Sequence, residues 1–369
     1  MSDVGRAQAH AERRVRLAGT LEGLGVEALL VTDLMNCRYL TGFSGSNAAL
    51  LMGDKGDMAT LVTDSRYETA VADLCPGLPV ALHRDAAAGA LREAAAAGLI
   101  RVGIEAEATS LATGDRLEEL AAELGVELVA TPDQVGALRQ IKDQYEIGLL
   151  REACEISQRA LQRLMLEVRV GTSERMVAAR LEFLMREEGA DAAAFSTIVA
   201  TGSSSAEPHH EPTDRVIERG DLLKIDFGAR WQGYHADMTR TFVVGAPASA
   251  WQVEVHRVVA EAAGAGRAAV APGVEAREVD AAARRVIDAA GYGQNFGHGI
   301  GHGIGLQIHE APLMGAAAIA RLQPSMTITV EPGVYLPGRG GVRIEDSLVV
   351  TPDGAQPMTT LSRDLLVLG

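Results

Sequence analysis

Acidic residues set within apolar, strand-like segments constrain the fold of this chain more than any other feature. Asp226 lies within one such segment and Asp237 at the start of the next, with a turn at Arg230–Gly233 between them. A hairpin whose centre falls between Trp231 and Gln232 places the two aspartates directly opposite each other. Because like charges that face each other across a strand pair are destabilising, the hairpin predicts a compensating divalent cation.

A second pair of carboxylates repeats this arrangement near the C-terminus. Glu331 and Glu345 are symmetric about Gly338, within returning strands joined by a Gly- and Pro-rich loop. Acidic residues on hairpins are usually solvated, and this alternative holds for any one of the four. The apolar flanks argue against it for the set, since burying four uncompensated carboxylates costs several kcal/mol per ion by rough estimate.

The two pairs belong to segments that look like copies of each other. Gly171 and Gly273, and likewise Arg175 and Arg277, match at a constant offset of 102 residues. Ala-rich helices often match by accident, so the offset gains weight from the carboxylate pair that ends each copy. If a pseudo-twofold axis relates the copies, all four carboxylates could converge on one centre.

Histidines are concentrated in the same part of the chain, where seven of nine lie between residues 209 and 309. The segment 297–305 alternates glycine with histidine or isoleucine, and period two indicates extended chain with His298 and His302 on one face. The alternative is a flexible Gly-rich loop, which the isoleucines and histidines disfavour. His309 follows shortly after.

Composition excludes several classes of function. The formal net charge of −15 disfavours nucleic acid and anionic membranes as partners, because both attract a basic surface. Three dispersed cysteines and a charged N-terminus without an apolar core predict a cytoplasmic protein. No HExxH, Walker A or GxSxG motif occurs, so the key residues of a nucleotide-binding protein or serine hydrolase are missing.

The chain is predicted to contain two domains. Residues 1–132 alternate helical and strand patterns, which is typical of an α/β domain, and the boundary is placed at Thr131-Pro132. Residues 133–369 begin with long helical patterns and continue with the hairpins that carry the carboxylates.

In their order along the chain, these segments resemble the dinuclear metallopeptidases of the pita-bread fold, which include methionine aminopeptidase, aminopeptidase P and prolidase. The resemblance implies an N-terminal creatinase-type α/β domain followed by a C-terminal pita-bread domain, a mixture of α/β and α+β classes with an internal pseudo-twofold repeat. It also implies two divalent metal ions per subunit, with Asp237 and Glu345 bridging them. The five implied ligands are Asp226, Asp237, His302, Glu331 and Glu345.

Segments of the first third, including Asn36–Asn47, are similar to the amino-terminal domain of Xaa-Pro peptidases. The resemblance to this family also implies catalytic roles for His209, which lies 17 residues before Asp226, and for His309 and Glu331, although adjacent His210 is an alternative to His209. It implies substrate contacts for His298, Arg343 and Tyr39, the last from a neighbouring subunit of a homo-oligomer, dimer or tetramer. A core tyrosine is the alternative for Tyr39.

The expected function is hydrolysis of the N-terminal Xaa-Pro bond by a metal-dependent aminopeptidase of the aminopeptidase P type, through a hydroxide that bridges two metals. Oxygen-rich ligands with one imidazole suit Mn²⁺, the first expectation, and also Co²⁺, Zn²⁺ or Fe²⁺. One alternative is a prolidase restricted to dipeptides. Creatinase shares the fold but lacks the metal ligands, and the remaining alternative is a metal-free binding scaffold.

Overall fold

Residues 3–55 and 58–369 are described by the computed structural model. The chain divides into two compact units, Met1–Arg139 and Gln140–Gly369. The sequence places the boundary earlier, between residues 132 and 133. The difference is one helix, Gln134–Arg139, which packs on helices of the N-terminal unit and is tied to it by a hydrogen bond from Arg139 Nη1 to Asn36 Oδ1 (2.9 Å).

The N-terminal unit alternates helices and strands, as its hydrophobic pattern predicts. Its elements are α1 (Asp3–Leu24), β1 (Ala28–Val31), α2 (Leu34–Thr41), β2 (Ala48–Gly53), β3 (Ala59–Thr63), α3 (Glu68–Leu74), β4 (Val80–Leu82), α4 (Ala86–Ala96), β5 (Arg101–Glu105), α5 (Leu111–Leu124), β6 (Glu127–Thr131) and α6 (Gln134–Arg139).

These strands form one mixed six-stranded sheet in the order β4-β3-β2-β1-β5-β6. The central strands β1 and β2 are buried along their whole length, which explains their continuous apolar sequences. Helices begin where a polar side chain accepts a backbone N–H, as Asp33, Asp85 and Ser110 do for α2, α4 and α5. The predicted α/β class is confirmed for this unit.

The C-terminal unit begins with two helices and continues with short sheets. Its elements are α7 (Gln144–Met165), α8 (Glu174–Glu187), β7 (Ala192–Ala193), β8 (Ile198–Thr201), β9 (Leu222–Phe227), β10 (Ala229–Trp231), β11 (Tyr234–His235), β12 (Met238–Val244), α9 (Ala250–Ala269), α10 (Ala276–Ala289), β13 (Gly301–Gly303), β14 (Glu310–Met314), β15 (Thr327–Val330), β16 (Gly333–Leu336), β17 (Gly340–Arg343), β18 (Asp346–Thr351), β19 (Gly354–Pro357) and β20 (Val367–Leu368).

The internal repeat of this unit is confirmed. Helix α10 begins and ends 102 residues after α8, at 276 and 289 against 174 and 187. Each copy has its own apolar core. The first joins α7 and α8 to the sheet β20-β12-β9-β8, and the second joins α9 and α10 to the sheet β14-β13-β15-β18-β19. Two helices covering one sheet therefore form the repeating layer.

The first hairpin corrects one prediction. Asp226 pairs with Thr239 across β9 and β12, so it is not opposite Asp237. The turn lies at Gln232 and Gly233, whose φ angles of 47° and 86° suit a two-residue hairpin turn, one residue later than predicted. That step moves the pairing by two residues, so both aspartates keep the same face of the sheet and become diagonal neighbours.

The second hairpin has the predicted register. Val330 pairs with Asp346 between β15 and β18, and Gly333 pairs with Arg343 between β16 and β17. Both ladders extend to the same intermediate pair, Glu331 opposite Glu345. Within the described ranges, none of the helices is long and apolar enough to cross a bilayer.

Candidate metal centre and active site

A cavity of about 550 Å³ lies within the C-terminal unit. All five predicted metal ligands line it, together with His209, His298, His309 and Arg343. The ligands come from both copies of the repeat. The first copy supplies two aspartates from the β9–β12 hairpin, and the second supplies a histidine from β13 and two glutamates beside β15 and β18. The pseudo-twofold arrangement thus brings together side chains that are distant in sequence.

The acidic groups and one imidazole approach each other closely. Single ligand atoms of Asp237, His302 and Glu345 all lie within 4.8 Å of one another. His302 Nε2 is 3.5 Å from Asp237 Oδ2 and 3.4 Å from Glu331 Oε1. Asp226 is held in the same cluster by an ion pair with Arg343 Nη2. These are oxygen and imidazole donors that divalent transition metals accept.

The imidazole of His302 is oriented as a metal-binding histidine would be. The ring atom Nδ1 lies 3.1 Å from Gly303 O, and because a carbonyl oxygen only accepts, Nδ1 carries the proton and donates it. The backbone N–H of His302 donates to Thr329 Oγ1, also at 3.1 Å. Nε2 then presents a lone pair toward two carboxylates. A hydrogen-bonded Nδ1 that fixes Nε2 as the ligand atom is the usual arrangement around bound metals.

Two buried carboxylate oxygens of the cluster accept no hydrogen bond within the described residues. Among the described residues, Asp226 Oδ1 and Asp237 Oδ1 are buried without a hydrogen-bond donor. Burial raises the pKa of Asp237 well above its usual range, and the charges of Asp226 and Glu331 raise it further. Burial and then Asp237 do the same to the pKa of Glu345. Divalent cations would relieve both effects, so the residues fit the implied metals.

Two threonines hold the glutamates in place. Thr239 Oγ1 donates to Glu345 Oε2 at 2.7 Å, and Thr329 Oγ1 donates to Glu331 Oε1 at 3.2 Å. Each threonine lies inside a strand of the carboxylate hairpins, and both are fully buried. A carboxylate that accepts such a bond keeps one rotamer, so these hydroxyls fix the directions of the ligand oxygens.

Arg343 and His298 form a second polar network in the cavity wall. Arg343 is buried and donates to Pro208 O (3.1 Å), Tyr335 Oη (2.8 Å) and Thr239 Oγ1 (3.1 Å), as well as to Asp226. His298 Nε2 lies 2.9 Å from Tyr335 Oη. Burial and the Arg343 charge lower the pKa of His298 to about 4. Most donors of Arg343 are therefore used in orienting the site.

The two histidines predicted to be catalytic differ in their surroundings. His209 is exposed at the cavity. The ring of His309 packs edge-on against His302, with centroids 4.4 Å apart. Partial burial, and then the neighbouring His302, lower the pKa of His309 below its usual value. His210, the alternative to His209, is buried and hydrogen-bonded to Glu174. Of the two adjacent histidines, His209 therefore has the ring that is exposed at the cavity.

Tyr39 does not join this group. It lies on α2 in the N-terminal unit with no exposed surface, and Arg13 stacks on its ring at 4.5 Å from the centroid. Arg16 Nη2 donates to its hydroxyl at 3.0 Å. This burial supports the core-tyrosine alternative, and the substrate contact of Tyr39 stays a prediction.

The sequence reasoning missed several residues of the site. Tyr335, which joins His298 to Arg343, and the two threonines above were not singled out. A signal was present for the threonines, because Thr329 lies two residues before Glu331 and so shares its face of the strand. The buried Glu174 gave no such signal, since only the folded loop places its partners around it.

Comparisons with known proteins agree with this geometry. The model of metallopeptidase family M24 matches residues 148–352, and that of the creatinase/prolidase N-terminal domain matches residues 13–141. A protein of Pyrococcus horikoshii named an Xaa-Pro dipeptidase is 38% identical over 92% of this chain and 95% of its own length.

Two solved structures are similar over almost the whole chain. The first, an Xaa-Pro dipeptidase from Bacillus anthracis, has a TM-score of 0.91 and 36% identity, and the match covers 98% of this chain and 100% of that one. The second, an X-Pro aminopeptidase from Thermotoga maritima, has a TM-score of 0.87 and 35% identity, with 94% and 99% covered.

Proposed function

Since the chain belongs to metallopeptidase family M24, we propose that it hydrolyses the peptide bond between an N-terminal residue and proline, with dipeptides as preferred substrates. The observation that carries this proposal is the convergence of five metal-type side chains on one cavity, among them two buried carboxylate oxygens without donors. Such a cluster is costly to bury unless cations occupy it, and hydrolysis is the chemistry that the family name gives.

Divalent metal ions follow from the family, and we assign two of them to these residues. Asp226, Asp237, His302, Glu331 and Glu345 would hold the ions, Mn²⁺ first and Co²⁺, Fe²⁺ or Zn²⁺ as alternatives. When bound, the ions supply Lewis-acid polarisation of the scissile carbonyl and lower the pKa of an attacking water toward about 7.

Glu331 is the proposed proton carrier. Its side chain is 17% exposed, against 6% for Asp237 and 11% for Asp226, so it has the most open route to a substrate. Burial raises its pKa above the usual value for a glutamate. From this open side of the ligand cluster, Glu331 takes the proton of the attacking water and delivers it to the departing proline nitrogen.

His209 and His309 are the proposed donors for the negative charge that develops on the carbonyl oxygen. Both line the cavity that the metal ligands share. Losing one such donor typically costs about 10²–10³ in turnover. We therefore expect His309→Ala to lower kcat by that factor while the metal content stays unchanged, because no ligand is removed.

Specificity for proline has a physical basis in the substrate. The Xaa-Pro bond has no N–H, so a site cannot select it through that donor. The cavity offers apolar side chains instead, from Phe195, Ile308 and Leu313. We assign them to the proline ring and the neighbouring side chain, for which apolar contact is the available form of recognition.

The order of the two peptidase candidates is reversed from the sequence analysis. The name of the Pyrococcus horikoshii relative and that of the Bacillus anthracis structure support the dipeptidase. The aminopeptidase remains the second candidate, because the Thermotoga maritima structure has that name and is similar over 94% of this chain.

A substrate series tests the proposal. The protein is loaded with Mn²⁺ and assayed with Ala-Pro, Ala-Pro-Ala and Ala-Ala. We expect cleavage of Ala-Pro with the highest kcat/KM, weaker cleavage of the tripeptide, and none of Ala-Ala. Faster cleavage of the tripeptide favours the aminopeptidase, and no cleavage of either proline peptide contradicts the proposed function.

A pair of variants ties activity to the cavity. Glu331→Gln removes the proton carrier and is expected to lower kcat by at least about 10². Glu278→Gln changes an exposed glutamate of α10 and keeps the cavity intact, so its rates should equal those of the wild type. Equal rates for all three proteins would exclude Glu331 from the chemistry.

A further inference from the structure

The loop that carries His209 is clamped on both sides of that residue. The His209 side chain itself is exposed, and its ring makes no hydrogen bond within the part of the chain that the structure describes. Its position in the cavity is therefore set by the backbone from which it projects. The contacts that hold this backbone decide where the ring can reach.

Two buried basic side chains hold the chain before His209. Lys224 Nζ donates to Glu207 O, and Arg343 Nη1 donates to Pro208 O at 3.1 Å. Both side chains are buried, at 0% and 2% exposure. Pro208 also has a fixed φ angle, which removes one rotation immediately before the histidine. The carbonyls of two successive residues are thus pinned.

The side chain of His210 holds the chain after His209. Its Nε2 is 2.9 Å from Glu174 Oε2, and its Nδ1 is 3.3 Å from Glu207 Oε2. Glu174 has no exposed surface and His210 only 8%. The ring that follows the catalytic candidate is therefore tied to the first turn of helix α8.

Glu174 is bound to the loop by more than this one contact. It accepts hydrogen bonds from the backbone N–H groups of Thr201 (2.8 Å) and Thr213 (2.9 Å) and from their hydroxyls (2.8 and 2.6 Å). Burial raises the pKa of Glu174, but the bonds from Thr213, His210 and Thr201 outweigh it and hold the pKa below the usual value. The carboxylate is also the first residue of α8, where the helix dipole favours negative charge.

We propose that the buried Glu174–His210 pair is a positioning device for His209, which fixes the backbone that presents the His209 ring to the scissile carbonyl. This inference rests on the proposed function, because it assigns the device to that reaction. A displacement of about 1 Å at a reacting group can cost about 10²-fold in rate. The pair acts through His209 and does not touch the substrate.

Two replacements of His210 distinguish the effect of its hydrogen bond to Glu174 from the effect of its ring volume. His210→Phe keeps a ring but leaves Glu174 without that donor, and His210→Gln restores an N–H that can donate. We expect His210→Phe to lower kcat about tenfold to hundredfold with KM and metal content unchanged, and His210→Gln to recover most of the rate. Asp214→Asn, in the same loop, breaks only an exposed ion pair with Arg175 and should leave the rates unchanged.

A double-mutant cycle shows whether the effect passes through His209. In a His209→Ala background, His210→Phe should cause no further loss, since the ring it positions is absent. An equal further loss, or full activity of the single variant, overturns the proposal. Thr213→Val, which removes one hydroxyl donor to Glu174, is a milder variant for the same cycle if His210→Phe does not fold.

The position of the His209 ring can also be followed by NMR in the absence of substrate, so the result does not depend on peptidase activity. In protein labelled with ¹³C at histidine, the His209 ring resonance is identified by its loss in His209→Ala. We expect one sharp signal in the wild type, a broadened or shifted signal in His210→Phe, and recovery in His210→Gln. Identical wild-type and His210→Phe signals overturn the positioning role. A wild type that cleaves no Xaa-Pro peptide contradicts the function alone.

Discussion

Asp237 and Glu345 are disfavoured as anions for two separable reasons. Burial removes the water around each carboxylate, and the neighbouring carboxylates repel its charge, which together raise the pKa of both groups. A bound cation offsets both the burial and the repulsion of these carboxylates, whereas a neutral substitution removes the repulsion whether or not metal is present. The same carboxylate should therefore lower the stability of the metal-free protein and raise that of the metal-bound protein.

Glu345→Gln tests this opposition. In metal-free protein at pH 8, we expect the variant to be about 1–3 kcal/mol more stable than the wild type, because one buried charge is gone. The free energy of unfolding is obtained from urea titrations with a chelator present. With saturating Mn²⁺ the order should invert. A metal-free variant less stable than the wild type would show that the carboxylates are already compensated by other groups.

His10 is a buried histidine far in sequence from this cluster, and it makes stability depend on pH. Burial, and then the Arg13 charge, lower its pKa from 6.5 to about 4. Between these values the unfolded chain binds a proton that the folded chain does not. The free energy of unfolding should therefore fall as the pH drops from about 6.5 toward 4, by up to about 3 kcal/mol.

Substitution of His10 isolates this contribution. Urea unfolding of the N-terminal unit at pH 7 and pH 4.5 should show a smaller pH-dependent loss for His10→Gln than for the wild type. Equal pH dependence in His10→Gln and the wild type would contradict the lowered pKa.

At the scale of elements, the first carboxylate hairpin depends on a close approach at Gly228. A Cβ atom at this position would lie 1.7 Å from the backbone carbonyl oxygen of Ala236, and a backbone atom cannot swing aside. Only glycine lets the two chains meet there, immediately before Asp237. The hairpin thus sets the position of a metal ligand through the absence of a side chain.

Gly228→Ala should consequently displace Asp237. We expect a loss of at least about 2 kcal/mol in stability, together with weaker Mn²⁺ binding. Gly264→Ala is a matched control inside helix α9, where the added Cβ has its nearest neighbour, an atom of Arg267, at 4.0 Å. It should raise stability by up to about 1 kcal/mol. Unchanged metal affinity in Gly228→Ala would contradict this account of the hairpin.

The elements also show what the sequence could and could not predict. The long helical patterns predicted at the start of the second domain include α8, whose N-terminus is capped by Ser173. The pairing of Glu331 with Glu345 follows from symmetry about the loop. The pairing of Asp226 was wrong by two residues, because the turn was centred one residue too early and Gly228 marks a break between β9 and β10 that periodicity does not reveal.

Long-range contacts explain the remaining gaps. The composition of β12 and β15 predicts strands, but the hydrogen bonds of Thr239 and Thr329 depend on which side chains the fold brings opposite them. The same is true of Glu174, whose partners lie 27 to 39 residues away. The burial of Tyr39 likewise depends on the folded N-terminal unit, in which Arg13 stacks on its ring.

At the scale of the molecule, the cavity joins the two copies of the repeat. The first copy supplies Asp226 and Asp237, and the second supplies the other three ligands, while each copy has a separate apolar core. Cations held by both copies would link them. Binding should therefore stabilise the C-terminal unit as a whole.

Calorimetry of the intact chain can resolve this effect. At Mn²⁺ concentrations one hundred times the Kd, the C-terminal unit should gain about 2.7 kcal/mol for each bound ion, which corresponds to a Tm increase of about 5–10 °C per ion. The transition of the N-terminal unit should not move, because all the assigned ligands lie in residues 140–369. A shift confined to the N-terminal transition would place the ions elsewhere.

The most direct test of the central claim is the number of Mn²⁺ ions bound per chain, measured by equilibrium dialysis and elemental analysis alongside Ala-Pro hydrolysis. The wild type should bind two ions, lose activity when they are chelated and regain it when they return, and Asp226→Ala and Glu345→Ala should fail in both binding and hydrolysis. Full metal content and full activity in either variant would contradict the assignment of the site.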